Sequence, residues 1–353
     1  QIRSQPPRLR SATFRQSAGR DRPDRLLCMR FAAHRAHVAH LTQHFLGYPL
    51  VLVIAAIIAL IGWRSMSHDR LVIASGPEGG YFHTTALRYQ ALLAKRNLHI
   101  RVLPEENTLR GLEHVDDPAS DVDVAFVAQR LDAHQHPNVR SLGVITDEPL
   151  FVFRHRRTRP FTRLGDIPGR GVGVGPVDSG SYQLATDVLA AHGVTAPNAK
   201  FNTSGLRDSV AALRKGEVDV AFLLQPLEQP IVAELVRTPG IELVDVIEGR
   251  AISRIVGSGR NMGVTRIPLG IFDLHNALPA HELTLPTEAV SVVVRSELDP
   301  GVLHHLLEVM QEVHGGANLG HEAGSYPRSV GSQVPPDPVA TSFYRSGLAF
   351  LYR

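Results

Sequence analysis

The chain has 353 residues, and its 37 Lys and Arg against 34 Asp and Glu give a formal net charge of +3. Nine arginines and two aspartates lie in residues 1–44, so the rest of the chain holds 28 basic against 32 acidic residues. This mildly acidic remainder lacks the basic stripe that binds a phosphate backbone, and we expect no nucleic-acid partner.

The first predicted element is a transmembrane helix over residues 45–63, FLGYPLVLVIAAIIALIGW. An uncharged apolar run of about twenty residues is long enough to cross a ~30 Å hydrocarbon layer. The arginine-rich segment 1–44 predicts a basic cytoplasmic tail, and the residues after the run lack a signal-peptide cleavage site. We therefore predict an uncleaved, single-pass anchor in the inner (cell) membrane, with the bulk of the chain periplasmic or otherwise extracytoplasmic.

Cysteine and histidine positions predict neither a disulfide nor a metal site. The single cysteine, Cys28, lies before the predicted anchor, so the exported part has no disulfide framework and no thiol nucleophile. Four histidines share one predicted helix face without a carboxylate or cysteine to complete a ligand set. They are His34, His37, His40 and His44. No GxSxG or HExxH motif is present, so we predict no catalytic residues, no cofactor and no enzymatic activity.

After the anchor, short β-branched runs alternate with segments of helical periodicity, the pattern of an α/β protein with largely parallel sheets. The predicted strands are 71–75, 99–103, 122–127, 139–145, 150–154, 171–175, 199–202, 218–224, 241–246 and 289–295. The predicted helices are 81–96, 180–192, 206–215 and 300–314. We expect helices on both faces of these sheets.

One pattern occurs twice, in residues 71–127 and 171–224. Each copy runs strand, glycine-bearing loop, helix, strand and helix, and ends in VDVAF. Two similar halves predict two lobes that face each other across a cleft, and the late strand at 289–295 predicts a second crossing and a hinge. The predicted domains are lobe 1 at 71–150 and 258–318, lobe 2 at 151–257, and a C-terminal surface tail at 319–353.

The two glycine-bearing loops, 76–81 and 175–182, each leave a strand and open a helix. Glycine lets the backbone approach a ligand, and free N–H groups at a helix start bind an anion such as a carboxylate. Opposed across a cleft, the loops predict a site for one small solute. The alternative is that both are tight βα turns. The second loop lacks the lysine of a phosphate-binding P-loop, which disfavours a nucleotide triphosphatase.

Other side chains near the loops add candidate chemistry. Tyr81 and Tyr182 start helices where a phenol can pack on a ligand and donate a hydrogen bond, and Gln129 follows a strand. Glu78 and Asp178 lie inside the two anion-friendly loops. They either complement the helix dipoles, at ~0.3–1 kcal/mol each, or select a ligand that also carries an ammonium group, such as an amino acid.

With these residues in place, the chain from about Leu71 onwards resembles the TAXI family, the solute receptors of one class of TRAP transporters. The resemblance rests on IASGPEGGYFHTTALRYQALL, DVDVAFVAQ, GVGVGPVDSGSYQLATDVLAAHGV and LRKGEVDVAFLLQP. Later segments, including SFYRSGLAFLYR, resemble the membrane-anchored subgroup. The family's second loop usually runs Gly-Pro-Pro-Gly-Ser-Gly-Thr. Here Val177-Asp178 replaces Pro-Gly and Ser181 replaces Thr, so ligand identity is not inherited.

The resemblance implies a type II periplasmic-binding-protein fold, a Venus flytrap of two lobes that closes on a glutamate- or glutamine-like amino acid or another small carboxylate. It also implies a TRAP permease as the membrane partner. Carried over by motif, the ligand contacts are Ser75, Gly79, Gly80, Tyr81, Gln129, Ser179, Gly180 and Ser181. The alternative function is a ligand-sensing or scaffolding ectodomain that signals through the anchor and the basic tail. An enzyme on the same fold, such as a tetrapyrrole-building deaminase, is disfavoured because Cys28 lies across the membrane from the lobes.

Overall fold

The computed structural model describes residues 51–57, 71–258 and 260–346. The predicted basic tail, its histidine face, Cys28 and most of the predicted anchor at 45–63 lie outside these ranges. Residues 51–57 form a helix, α1, with exposed apolar side chains. Within the described ranges, no helix combines the length and apolarity needed to span a membrane. The α/β part, from residue 71 onwards, forms one compact unit.

The α/β unit contains one ten-stranded sheet. The strands are β1 (Leu71–Ser75), β2 (Ile100–Pro104), β3 (Val124–Val127), β4 (Val139–His155), β5 (Gly171–Gly173), β6 (Lys200–Asn202), β7 (Val220–Leu224), β8 (Ile241–Leu243), β9 (Met262–Ile267) and β10 (Leu283–Arg295). The helices are α2 (Tyr81–Ala94), α3 (Thr108–Asp116), α4 (Gly180–Ala191), α5 (Leu206–Lys215), α6 (Pro230–Arg237), α7 (Gly249–Ile255), α8 (Pro300–His314) and α9 (Pro338–Ser346). The predicted alternation of strands and helices is confirmed.

Both ends of the sheet have the same strand order. The order is β2-β1-β3-β10-β4-β7-β5-β6, with β8 beside β4 and β9 beside β10. The outer strands are parallel, as predicted, whereas β10 and β4 run antiparallel to their neighbours. The first half of the unit therefore contains the parallel strands β1, β2 and β3, and the second half contains the parallel strands β5, β6 and β7. The two long strands between them, β4 and β10, are called the crossing strands.

The internal repeat extends to single hydrogen bonds. Asp123, just before β3, accepts the Val72 N–H of β1 at 2.9 Å. Asp219, just before β7, accepts the Gly171 N–H of β5 at the same distance. Both aspartates belong to the repeated VDVAF segment, which explains why an acid stands inside an otherwise apolar run. A buried backbone donor at the start of a strand needs such a partner.

The two crossing strands contribute to separate hydrophobic cores. The first part of β4 packs with α2 and α8 around Leu142 and Ile145, and its last part packs with α4 around Leu150 and Val152. In β10, Leu285 belongs to a core of the second half and Val290 to a core of the first. We predicted a return to the first lobe near residue 258. Instead, β9 and the start of β10 pack with the second half.

The C-terminal region also differs from the predicted surface tail. Tyr326, Val334, Ala340 and Phe343 are buried, and α9 packs against the first core. Backbone hydrogen bonds join the Val144 N–H to the Arg328 carbonyl at 2.8 Å and the Ser141 N–H to the Pro335 carbonyl at 2.9 Å. The Gly-, Ser- and Pro-rich composition predicts a loose tail, whereas this segment is held by backbone hydrogen bonds, by buried side chains and by the Arg328–Asp147 ion pair.

The pair Tyr89–His314 gives the first core a pH-dependent contact. The Tyr89 hydroxyl lies 2.9 Å from His314 Nε2, and both side chains are buried. Burial is the main cause that lowers the pKa of His314 to about 3. Below pH ~6.5, His314 therefore binds a proton in the unfolded chain but stays neutral in the folded chain.

We expect this histidine to cost the protein about 1 kcal/mol of unfolding free energy between pH 6.5 and 5.5. Urea unfolding at these two pH values should show the loss in the wild type. The same measurement on His314→Gln, which keeps a polar partner for Tyr89 but does not titrate, should show a smaller loss. Equal losses in the two proteins would contradict the assignment.

Candidate functional site

The two glycine-bearing loops share a left-handed position and a tight turn, but they differ at their first glycine, because Gly175 has a positive φ of +89° and Gly76 does not. Gly79 (φ +75°) and Asp178 (φ +66°) occupy equivalent positions, and both lie in the left-handed region that few residues other than glycine, asparagine and aspartate adopt. The next residue in each loop, Gly80 or Ser179, donates its N–H to the carbonyl three residues back, at 2.9 and 3.1 Å. The predicted equivalence of the loops is confirmed at this level.

The helix starts behind the loops differ in their capping. The N-cap residue of α2 is Gly80, which has no side chain. The N–H groups in the first turn of α2 therefore receive no hydrogen bond acceptor from the cap residue. Ser179 caps α4: its hydroxyl accepts the Tyr182 N–H at 3.1 Å and donates to the Pro176 carbonyl at 2.7 Å. The start of α2 is therefore the more available anion site, and the Ser179 hydroxyl is engaged within its own loop.

The second loop touches the first half of the molecule directly. Gly180 is buried, and a Cβ atom there would lie 1.9 Å from the Ala128 carbonyl oxygen, at the end of β3. Gly79 makes a looser contact with the opposite half: it is exposed, and its Cβ position lies 3.2 Å from Nη2 of Arg207, at the end of a flexible side chain of α5. The structure thus places each loop against the other half, and only glycine fits at residue 180.

Gln129 carries an unpaired donor at this junction. Its side chain is 1 % exposed, and its Oε1 accepts the Thr108 hydroxyl at 2.5 Å. Its buried Nε2 finds no acceptor among the described residues. A buried donor left unpaired costs about 1–3 kcal/mol, so an acceptor from a ligand would be favourable at this atom.

The remaining predicted contacts occupy varied positions. Ser75 is buried, its hydroxyl donates to the Gly76 carbonyl, and it lies 3.1 Å from His83 Nδ1, so it serves the first half internally. Ser181 and Tyr182 are half-buried on the first turn of α4. Glu78 and Asp178 are both exposed, and their role in selectivity stays a prediction.

Tyr81 connects the first loop to two acidic residues that no sequence motif marks. It is half-buried, and its pKa is raised, first by burial and then by the charges of Glu228 and Glu148. The phenol therefore stays neutral and can donate a hydrogen bond at any physiological pH. Glu228 follows β7 and Glu148 lies in β4, so Tyr81 is close to charges from both halves.

Gln225 is a further candidate that the repeat could have revealed. It follows β7 as Gln129 follows β3, and the two residues end the matching segments VDVAFVAQ and VDVAFLLQ. Gln225 is half-buried, and its N–H donates to the Pro149 carbonyl at 3.3 Å. The two halves therefore place an amide side chain after the equivalent strand.

A cavity of about 420 Å³ lies away from these loops, between α2 and the edge strand β2. It is lined by His83, Leu87, Gln90, His99, Ile100, Arg101 and Val102. Among the residues that the structure describes, no group of three or more His, Cys, Asp or Glu side chains is arranged to hold a metal ion. The chemistry at the loops is therefore that of hydrogen bonds and charges.

Comparison with protein families gives a match over residues 127–325, which is more than half of the chain. The chain belongs to the NMT1-like family. The NMT1-like region starts at the end of β3, so it includes Gln129, the second loop and both crossing strands, while the first loop precedes it. A comparison with curated proteins found no match.

Several solved structures share distant similarity with this NMT1-like chain. An ancestral arginine-binding protein bound to arginine is 15% identical, with a TM-score of 0.44 over 69% of this chain and 92% of its own. The amino acid ABC transporter substrate-binding protein AbpA from Streptococcus pneumoniae is 10% identical, with a TM-score of 0.44 over 70% and 90%. The effector binding domain of a BenM variant is 13% identical, with a TM-score of 0.46 over 69% and 94%. At these TM-scores the similarities say nothing about the ligand of this chain.

Proposed function

We propose that this protein is a solute-binding protein that captures a small carboxylate or an amino acid, of the size of glutamate or glutamine, between its two halves. One observation carries the proposal: the equivalent loops reach the opposite half, and Gly180 contacts the residue next to the unpaired amide of Gln129. Anionic ligand groups suit the uncapped start of α2 and the Gln129 Nε2 donor. The protein acts by binding and not by catalysis.

The finer assignment within this function rests on the sequence. We propose a TAXI-type receptor of a TRAP transporter with the Venus flytrap architecture of type II periplasmic binding proteins. Residues 45–63 anchor it in the cell membrane, and the α/β unit is extracytoplasmic. The ordered motifs around both loops and the arginine-rich segment 1–44 support this placement. A TRAP permease is the proposed membrane partner.

A ligand panel tests the proposed function. The full chain, purified in lipid nanodiscs, is heated with L-glutamate, L-glutamine, L-arginine, 2-oxoglutarate or succinate, and its melting temperature is measured. A ligand that binds only the folded state raises apparent stability by about 2.7 kcal/mol at a concentration a hundred times its Kd. A shift with at least one of these solutes is expected. The absence of any shift across the panel would overturn the proposal.

Replacing Gln129 tests where the ligand binds. In Gln129→Met, we expect affinity for the panel ligand to fall by about tenfold or more, since one buried hydrogen bond to a charged group contributes ~1.5–3 kcal/mol. The melting temperature without ligand should change little, because the variant loses the Thr108 contact but also removes an unpaired buried donor.

The matched control for this substitution is Gln135→Met, at an exposed glutamine outside the site. Isothermal titration calorimetry gives the affinities of both variants. Wild-type affinity in Gln129→Met would remove this residue from the site.

The second candidate function is a ligand-sensing or scaffolding ectodomain that signals through the anchor. The long basic segment 1–44 favours it, because a transport receptor has no evident need for such a tail. Affinity purification of the full chain from its own membranes distinguishes the two. A co-purifying permease supports transport, whereas a signalling protein that is lost when residues 1–44 are deleted supports sensing.

A further inference from the structure

Two buried glutamates face each other where the crossing strands pass between the cores. Glu148 in β4 and Glu288 in β10 are direct partners in the antiparallel ladder, and they are 3 % and 0 % exposed. Side chains at such paired positions point to the same face of the sheet with Cβ atoms about 5 Å apart. Like charges in this arrangement repel, so each carboxylate needs its own compensation.

Arg260 compensates one of the two acids. Its side chain is 1 % exposed, and Nη1 donates to both carboxylate oxygens of Glu288, at 2.8 and 3.0 Å. Its Nη2 donates to Asp187 on α4 at 2.7 Å. The guanidinium is thus shared between two acids, and both of its contacts with Glu288 come from Nη1.

Glu148 has no corresponding cation. Among the residues that the structure describes, none donates a hydrogen bond to its carboxylate or forms an ion pair with it. Burial raises the pKa of Glu148, and the charges of Glu288 and Glu228 raise it further. The site therefore has one buried carboxyl group more than its arginine can neutralise, and either a proton or a bound cation must make up the difference.

Glu148 lies beside the proposed ligand site. Tyr81, on the first loop, is close enough to Glu148 and Glu228 for both charges to raise its pKa after burial has done so. Val127, the last residue of β3, pairs with Ser291, which lies three positions after Glu288 in β10. The charge of Arg130, next to Gln129, accordingly lowers the pKa of Glu288. The unpaired amide of Gln129 and the uncompensated carboxyl group thus occupy one region.

We propose that Glu148 is a specificity-determining residue that receives a cationic group of the ligand, an ammonium or a guanidinium, while the α2 start and Gln129 receive its carboxylate. This inference rests on the proposed solute-binding function and narrows it to amino acids and related zwitterions. Purely anionic acids place no cation against Glu148 and bind weakly. Selectivity thereby comes from the crossing strands and not from the exposed loop acids Glu78 and Asp178.

The test compares L-glutamate with 2-oxoglutarate, which differ in having an ammonium or an oxo group at the same carbon. L-Arginine is a third probe because it carries two cations. Calorimetric titrations use the full chain in nanodiscs as wild type, Glu148→Gln and Glu297→Gln, the last being an exposed glutamate that serves as the matched control. Glu148→Gln keeps the shape of the side chain, and its melting temperature without ligand checks that it is folded.

We expect an amino acid to bind wild type at least tenfold more tightly than 2-oxoglutarate. Glu148→Gln should lose at least tenfold in amino-acid affinity, and Glu297→Gln should match wild type. Equal binding of glutamate and 2-oxoglutarate with no effect of Glu148→Gln would overturn this inference and leave the proposed function standing. No binding of any of the five panel solutes would overturn both.

Discussion

Gly180→Ala is expected to separate the two halves of the protein. A Cβ atom at this position would lie 1.9 Å from the Ala128 carbonyl oxygen and 2.9 Å from its carbonyl carbon, and both are backbone atoms that cannot rotate away. The helix itself tolerates alanine, whose helical propensity exceeds that of glycine by about 1 kcal/mol. The effect should therefore fall on the contact between halves and not on the folding of α4.

Two measurements check this expectation. Small-angle X-ray scattering of the variant in nanodiscs matched to the scaffold density should show a larger radius of gyration than wild type. Affinity for the panel ligand should fall by about tenfold or more, which corresponds to ~1.4 kcal/mol. The control is Gly205→Ala, because a Cβ at Gly205 meets nothing within 4 Å. Unchanged scattering together with unchanged affinity in Gly180→Ala would show that the contact is dispensable.

Arg260→Met is expected to destabilise the folded protein by about 3–5 kcal/mol at pH 8. The substitution leaves Glu288 buried without its cation, and removing one partner of a buried ion pair has this typical effect. For a unit of this size, the melting temperature should fall by about 10 °C. Thermal unfolding followed by circular dichroism measures the change.

The pH dependence of this effect has a definite sign. With Arg260 present, burial raises the pKa of Glu288 to about 7, and the arginine opposes that rise. Without the arginine the folded-state pKa moves higher still, so the folded variant binds a proton that the unfolded chain lacks above pH ~4.5. Its stability is therefore lost as the pH rises, and the deficit should be smaller at pH 5 than at pH 8.

The double variant Arg260→Met, Glu288→Gln provides the rescue. It removes the charge together with its partner, and such replacements of buried ion pairs are often close to neutral. Recovery of most of the lost stability is expected. A double variant as unstable as Arg260→Met alone would show that Arg260 acts through packing or through Asp187, and not through Glu288.

Most of the helices and outer strands could be predicted from the sequence, because their periodicity and turn residues are local signals. β1, α5 and α8 have the predicted bounds, and the VDVAF segments mark equivalent strands in both halves. The left-handed position in each loop is also local, as Gly79 and Asp178 are residue types that adopt it readily. The binding roles of the loop residues remain predictions.

The crossing strands were harder to predict because polar residues interrupt them. β4 runs from Val139 to His155, but the segment TDEP divides its apolar residues and led to two predicted strands. β10 begins at Leu283, and Pro286 and Glu288 concealed its first half. Glu148 and Glu288 are tolerated within strands because they lie between two cores. The alternation of apolar and polar residues within a single strand does not predict such a position.

Glu148, Glu288 and Arg260 were missed for the same reason. Arg260 lies 28 positions before Glu288 along the chain, so no spacing rule joins them, and only the fold brings their atoms together. An isolated acid inside an apolar strand was the available signal. Asp123 and Asp219 belong to the repeated VDVAF segment, whereas Glu148 and Glu288 belong to no repeat that would mark them.

The shared strands also limit how the protein can deform. A single linker lets two bodies rotate about several axes, whereas two adjacent strands joined by a hydrogen-bonded ladder bend mainly about one. The ladder between β4 and β10 has register shifts after Val290 and Val292, and the paired acids stand just before them. The register shifts and the paired acids therefore occupy one stretch of the ladder. Under the proposed function, neutralising one of these carboxyl groups is expected to change both the bending of the two strands and the choice of solute.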